Sequence, residues 1–530
     1  MDTDRPFSRR AAAVTAAALA VLVPLLAAAS GAPAGGAAAK PADPASGQAR
    51  HESRIGVFDG HGDIGPVDLP GSASYDPKKQ EYTVAGSGLN MWFASDEGHF
   101  LWKRLKGDFI LSARVEFIGD GGAAHRKIGW MVRSTLDADA AHVSAAVHGD
   151  GLTSVQYRKA RGEETSEDEI GVQGPNQVQL ERRDGAYIMS VAHFGETYIR
   201  EDIPAVALGD EVYAGLYVCA HKAETLERAR FSNVRIVIPP KPGFVPYRDH
   251  IGSRLEVLDV VTKDRLVLDE SSRDCQAPNW TRDGRALLYN SEGRLFRYDL
   301  ASGATTAVDT GSATALNNDH VLSFNGKMLG LSNMFPGENG TSIIYTVPVE
   351  GGAPKRVTPR GPSYLHGWSP DGRTLVYTGL RNGNYDVFKI PARGGRETRL
   401  TKAKGLDDGP EFTPDGRFIY FNSDRKGGMR IWRMLANGKM QRQVTKGDLQ
   451  DWFPHVSPDG RSIVFLSYEK DVAPGDHPFY RQVYLRSMPV EGGEVRVLAY
   501  IFGGQGTINV PSWSPDGRRI AFFSYSDVPR

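Results

Sequence analysis

Trp368-Ser369-Pro370-Asp371-Gly372-Arg373 decides the fold, because close copies of it return along the second half of the chain. They are Trp280-Thr281-Arg282-Asp283-Gly284-Arg285, Phe412-Thr413-Pro414-Asp415-Gly416-Arg417, Val456-Ser457-Pro458-Asp459-Gly460-Arg461 and Trp513-Ser514-Pro515-Asp516-Gly517-Arg518, with a degraded copy at Leu322-Ser323-Phe324-Asn325-Gly326-Lys327. Each leads from an apolar residue into a Ser/Thr-x-Asp-Gly turn, in which proline at x fixes φ and glycine supplies the positive φ of a tight hairpin. An apolar run such as Thr374-Leu375-Val376-Tyr377 follows, then Tyr385-Asp386-Val387-Phe388-Lys389-Ile390, a turn at Gly394-Gly395 and Glu397-Thr398-Arg399-Leu400. Four short strands per repeat make a propeller blade.

The turn glycines stand at 284, 326, 372, 416, 460 and 517, in steps of 42, 46, 44, 44 and 57 residues. Four-stranded blades recur every ~40–45 residues. The long last step implies an insertion, placed at Glu469 to Arg481, whose Pro, Gly and Asp content suits an exposed loop. The sixth copy gives only two strands, Val510-Pro511-Ser512-Trp513 before its turn and Arg519-Ile520-Ala521-Phe522-Phe523 after it, whereas Arg254 to Val260 and Arg265 to Leu268 precede the first copy without a blade of their own. These two pairs are expected to join, which closes six blades into a ring with no open edge. The WD-type repeats of residues 252–530 resemble those of the TolB propeller family. That resemblance implies the fold; propellers of this kind serve as binding platforms, as enzymes or as gates to enzymes.

A chain of 530 residues has room for two or three domains, and its 60 Gly, 32 Pro and 9% aromatic residues favour many short strands. Lys plus Arg equals Asp plus Glu at 63 each, so no global charge draws it to nucleic acid or to an anionic membrane. Cys219 and Cys275 are too few for a disulfide framework and are expected to be buried in different domains. Arg5, Arg9 and Arg10 precede the apolar run Ala11 to Ala29, with small residues at Ala27-Ala28-Ala29-Ser30, the layout of a secretory signal. An uncleaved anchor also fits, since ~20 apolar residues span a bilayer. The expected parts are a signal peptide (1–30), a disordered Ala/Gly/Pro linker (31–50), a β-sandwich (51–240), a Pro-rich linker (241–251) and the propeller (252–530). The mature protein is expected in the periplasm or outside the cell, free of the membrane after signal cleavage.

Between Ile55 and Pro240, apolar and polar residues alternate in at least eight runs, among them Phe109 to Phe117, Ile128 to Arg133, Ala141 to Val147 and Val212 to Val218. With no helical stretch between them, an antiparallel sandwich is the natural packing. Gly71 to Asp76, Gly107-Asp108-Phe109, Gly129 to Arg133 and Phe231 to Ile236 give this region a resemblance to the concanavalin/laminin-G-like jelly-roll modules of secreted bacterial proteins. The resemblance implies sugar binding, in some members with calcium. Asp59, Asp63 and Asp68, or Asp137 and Asp139, are the candidate calcium ligands, and Trp92 and Trp102 the candidate stacking residues. Arg158 to Glu169 is expected to be a solvated loop.

In a propeller the innermost strand of each blade lines the central channel. Four residues ahead of the leading apolar position stand Gln276, Asn318, Tyr364, Asp408, Trp452 and Asn509, with Asp274, Asp319, His320, His366, Asp407, Asp451 and His455 close by. Convergent polar and aromatic groups of this kind make a ligand site. If the channel is catalytic, His320, His366, His455 and Asp408 are the candidate acid, base or metal-ligating groups. Oligogalacturonate lyases, relatives of the resembling family, hold manganese on histidines in such a channel; here Pro278, Pro410, Pro454 and Pro511 occupy the blade positions that match His320 and His366. No Gly-x-Ser-x-Gly elbow, His-Glu-x-x-His, Cys-x-x-Cys or phosphate-binding glycine loop occurs. The sequence thus implies an exported binding protein that recognises a carbohydrate or an envelope protein. The alternative is a polysaccharide lyase or glycoside hydrolase, with a divalent metal in the channel or calcium in the sandwich as the candidate cofactors.

Overall fold

The computed structural model describes residues 54–527 apart from 120, 204, 246 and 335–339. The expected signal peptide and the linker after it lie outside these residues. Every regular element among the described residues is a strand, so no helix is long and apolar enough to cross a membrane.

The repeated hexapeptide builds its hairpin with its own side chains. Ser369 Oγ donates to Asp371 Oδ1 at 2.6 Å, the same carboxylate oxygen accepts the Arg373 N–H at 3.0 Å, and Ser369 Oγ accepts the Thr374 N–H at 2.9 Å. The set recurs at Thr281/Asp283, Thr413/Asp415, Ser457/Asp459 and Ser514/Asp516. In the degraded copy Asn325 Oδ1 takes the place of the carboxylate. Such Asx and hydroxyl turns satisfy backbone groups that neither flanking strand can pair. Gly372 sits at φ 69°, with no atom within 4 Å of where a Cβ would lie. Gly372→Ala therefore meets only the backbone penalty and is expected to cost ~1–2 kcal/mol in thermal unfolding.

Each of the first five repeats forms one four-stranded antiparallel sheet in sequence order. The sixth sheet places Ser253–Asp259 between Arg265–Ser271 and Arg519–Tyr525, with Trp513 bridged to Ile520 on the inner side. The strands ahead of the first repeat thus complete the last blade, and the ring has six.

Residues 60–237 form two seven-stranded antiparallel sheets. One runs Gly60–Ile64, Gly98–Lys106, Glu211–Cys219, Lys127–Arg133, His142–His148, Thr153–Arg158, Ser166–Glu169. The other runs Ile199–Ile203, Ala186–Ala192, Gln177–Arg183, Phe109–Phe117, Glu227–Val237, Glu81–Gly86, Ser72–Asp76. Both faces feed one core, in which Trp130, Val143 and Leu216 of the first sheet lie with Leu111, Val178 and Phe231 of the second. Cys219 and Cys275 are free and buried.

Two stretches expected to be exposed loops are so over much of their length, at 159–164 and 469–478, but each also carries built parts. Within 158–169, Ser166–Glu169 pairs with Thr153–Arg158 as the last strand of its sheet. Arg158 is buried because Asp96, also buried, needs it: the carboxylate accepts from Arg158 at 2.8 and 3.0 Å and from Arg133 at 2.6 Å. A buried carboxylate without such partners would be costly. In 469–481, Phe479 opens a strand to Pro489, and His477 packs edge-on against Trp452 at 4.5 Å between ring centroids.

The two-sheet domain covers the seam of the ring. Gln80 donates to Val267 O and accepts from Val267 N, each at 2.9 Å. Asn233 likewise accepts from Arg265 N at 2.8 Å and donates to Lys263 O at 3.0 Å. Both side chains thereby satisfy the exposed backbone of Arg265–Ser271, the outer edge of the sixth blade. Beneath them Glu256 is fully buried between Arg235 of the two-sheet domain at 2.6 Å and Arg265 at 2.9 Å, and accepts from Ser524 Oγ at 2.5 Å.

Candidate functional site

The first strands of neighbouring blades pack on one another at the middle of the ring. Each of the five full inner strands carries a register break just ahead of its repeat: Gln276/Asn279, Leu316/His320, Leu365/Gly367, Asp408/Glu411 and Trp452/His455. Three residues at these breaks have left-handed backbones, Ala277 (φ 57°), Gly409 (φ 60°) and Phe453 (φ 53°). A bulge re-aims the side chains around it, and positive φ on a residue as bulky as phenylalanine is strain that its surroundings must hold in place.

The re-aimed groups meet at His366. Its Nε2 lies 3.1 Å from Asp408 Oδ1, and its ring stacks on Phe453 at 6.1 Å between centroids. Asp408 also accepts from Thr378 Oγ1 at 2.7 Å. Asp319, Tyr364, His477 and Asn509 complete the surroundings: Asp319 and Asp408 act on His366 by charge, Asn509 through its backbone, and His477 acts on Asp408. The Tyr364 ring lies 6.5 Å from that of Tyr385. Five successive blades, the second to the sixth, contribute.

The electrostatics divide the two carboxylates. Burial pushes the Asp319 carboxyl up to about 7, only partly offset by His366 and reinforced by Asp408. Burial pushes Asp408 the same way, but the hydrogen bond and charge of His366 outweigh it and hold Asp408 well below the usual carboxylate range. For His366 burial opposes the charged form, and Asp319 and Asp408 together lift the imidazole above its ordinary value. The site therefore holds an ion pair beside a carboxyl poised to gain or lose a proton near neutrality. Because the folded value of Asp319 lies above its unfolded 3.8, stability present below pH 3.8 is lost as pH rises to about 7. Asp319→Asn is expected to raise stability by a few kcal/mol at pH 8 and by nothing at pH 3.5, read from denaturant unfolding at the two pH values.

Most of the other candidates from the sequence stand apart, whereas Trp452 borders the cluster through His477 and Phe453. His320 Nε2 faces the Leu288 carbonyl at 3.4 Å, and burial depresses its imidazole to about 4. His455 spends Nδ1 on Glu411 at 2.6 Å and Nε2 on the Ile508 carbonyl. Asp451 faces Arg486 at 3.3 Å and accepts from Ser467 at 2.7 Å. Gln276 donates to Asp274, Asn318 is buried, and Trp452 packs against His477. His320 and His366 thus serve different partners. Among the described residues the propeller brings no three metal-ligating atoms within 4.8 Å of one another. Phe453, Thr378, Tyr385 and His477 were not marked by the sequence pattern: the first follows an aligned position, the next two lie on outer strands, and the last lies in the insertion.

In the two-sheet domain four of the five aspartates expected to hold calcium are engaged elsewhere, and Asp68 is exposed. Asp63 faces His99 at 2.6 Å and accepts from Gly71 N, Asp59 accepts from Arg104 N, and Asp137 and Asp139 share Arg161. Trp102 belongs to a buried cluster. Trp92 lines a cleft of about 270 Å³ with Phe93, Lys127, Gln156, Glu167 and three histidines, and the Lys127 ammonium lies 5.2 Å from its ring centroid.

Residues 338–528 match the family model of the TolB beta propeller domain. An uncharacterized protein of Agrobacterium fabrum is 44% identical over 277 residues, which cover 52% of this chain and 93% of that protein. The solved structure of a putative TolB from Agrobacterium tumefaciens is 44% identical, with 53% of this chain and 100% of that one covered and a TM-score of 0.51. TolB from Acinetobacter baumannii is 16% identical over 62% of this chain and 80% of its own, at a TM-score of 0.38. An oligogalacturonate lyase in complex with manganese is 17% identical over 51% and 78%, at 0.33. Through its C-terminal half, this chain belongs to the TolB-like β-propeller family.

Proposed function

We propose that the chain is an exported binding protein of the cell envelope, whose propeller takes a polar ligand at the His366 cluster. The ligand is a segment of an envelope protein or an oligosaccharide. The observation that carries this reading is the convergence of Asp319, His366, Asp408 and Phe453 from four successive blades, held by bulged and strained backbone. Side chains kept in place against strain are a mark of function. Family membership supports a binding role, and the basic and apolar leader of residues 1–30 supports export. The two-sheet domain acts in this reading as a concanavalin/laminin-G-like jelly-roll module that contacts glycan through the Trp92 and Phe93 cleft.

A second reading, a polysaccharide lyase or glycoside hydrolase, draws on Asp319, since a carboxyl near neutrality beside a histidine is suited to proton transfer. One experiment separates the two. The full chain is presented with a panel of glycans and envelope-protein peptides, and both retention and release of reducing or unsaturated ends are scored. Retention without release is the expected result; release of product turns the assignment to the enzyme, and neither retention nor release rejects both.

A further inference from the structure

We propose that His125, His148 and Asp150 form a binding site for a divalent transition-metal ion of the zinc class, on the two-sheet domain and apart from the propeller cluster. One ligand atom from each of the three lies within 4.8 Å of the others. The His125 Nδ1 to Asp150 Oδ2 distance is 3.8 Å, and the His125 and His148 rings stand at 89° with centroids 5.8 Å apart. An ion seated between these atoms needs only small side-chain adjustments, since zinc takes imidazole nitrogen and carboxylate oxygen at ~2.0–2.2 Å.

Three features set the cluster apart from a chance meeting of surface groups. His148 is 4% exposed, and its Nδ1 is buried without a hydrogen-bond partner while the Gln156 amide holds Nε2 at 3.1 Å. As placed, Gln156 Nε2 donates to His148 Nε2 and leaves the ring proton on Nδ1; Gln156 Oε1, itself buried without a partner, accepts from Nε2–H once the amide turns over, which frees the Nδ1 lone pair for an ion. The backbone also preassembles the set: Gly149 N–H donates to Arg126 O and Asp150 N–H to Ala124 O, both at 2.9 Å, which pins the loop bearing His125 to the hairpin bearing His148 and Asp150. Arg126 is in turn anchored to Glu227 at 2.8 Å. Finally, the His221 ring lies 5.5 Å from that of His125, and its Nδ1 too is buried without a partner.

Imidazole with one carboxylate selects zinc, copper or nickel over calcium and magnesium, which prefer sets of oxygen ligands. Lys127 is a positive charge that acts on His148, and its ammonium is taken up by Asn90 Oδ1 at 2.7 Å and Met91 O at 3.3 Å. The site lies at the cleft lined by Trp92, Phe93 and Glu167, so a coordination position left open by the protein faces the place where a ligand of that cleft would sit.

The test uses the full chain stripped of metal by a chelator and titrated with Zn²⁺, with bound ion read by calorimetry and by metal analysis after dialysis. A single ion per chain is expected, with a Zn²⁺-dependent rise in melting temperature that excess Ca²⁺ does not reproduce. His125→Ala, at a half-exposed position where folding is not at risk, and His148→Ala should each weaken binding at least about tenfold and abolish the rise. His366→Ala should leave both unchanged. Failure to retain Zn²⁺, retention unaffected by His125→Ala, displacement by Ca²⁺, or loss of the ion in His366→Ala would each overturn the proposal.

Discussion

Glu256→Gln is expected to destabilise the folded chain by about 3–5 kcal/mol, because it leaves the guanidinium groups of Arg235 and Arg265 buried without their countercharge. The loss falls where it does most damage. Glu256 lies on the strand that closes the sixth blade, Arg235 belongs to the two-sheet domain, and Ser524 comes from the last strand of the ring. The substitution should therefore loosen ring closure and domain docking together, seen as a lower melting temperature and faster amide exchange in 253–259 and 519–525. Acid should act in the same way. Burial pushes the Glu256 carboxyl up, but Arg235 and Arg265 outweigh it and hold the folded value well below the unfolded 4.5. Its contribution is then fully present above pH 4.5 and is lost as pH falls towards the folded value. Wild type should lose stability through that range, and Glu256→Gln should lose less. Equal melting of the two proteins at pH 7 would remove the triad from the account of how the ring is held shut.

The ring was legible in the sequence because each turn is chemically self-contained: a hydroxyl, a carboxylate and a glycine within six residues are enough to form the hairpin. The closing strands could be found for the same reason, as apolar runs left over when the blades were counted. The channel site was legible only in part. The repeat marked Tyr364, Asp408 and Asn509, with Asp319 and His366 close to aligned positions, all at the cluster, but it marked His320 and His455 equally, and these are spent on neighbouring blades. A register break shifts which side chain faces inward, and no repeat pattern records it; Phe453 enters the site for this reason. His477 comes from an insertion that has no counterpart in the other blades. The histidine cluster of the two-sheet domain was illegible because His125 stands on a turn, His148 at the end of a strand and His221 on a separate loop, and the first two are brought together by backbone hydrogen bonds between residues far apart in sequence.

The second large effect is expected at the propeller cluster. Asp408 and His366 form a buried ion pair, with Thr378 holding the carboxylate and Phe453 holding the ring. Asp408→Asn keeps the shape and the Thr378 contact but removes one of the two carboxylates that lift His366, and with it the charged partner at 3.1 Å, so the imidazole should titrate lower. A ligand bound through charge-assisted hydrogen bonds loses roughly 1.5–3 kcal/mol with each one removed, or about ten- to a hundredfold in affinity. His320→Ala and His455→Gln, both away from the cluster, should leave affinity as it was. The most direct measurement is the affinity of Asp408→Asn for the glycan or peptide that wild type retains, taken beside its melting curve. Weakening of at least about tenfold in a protein that still melts cooperatively is the predicted result. Undiminished affinity would show that the ligand does not use the middle of the ring.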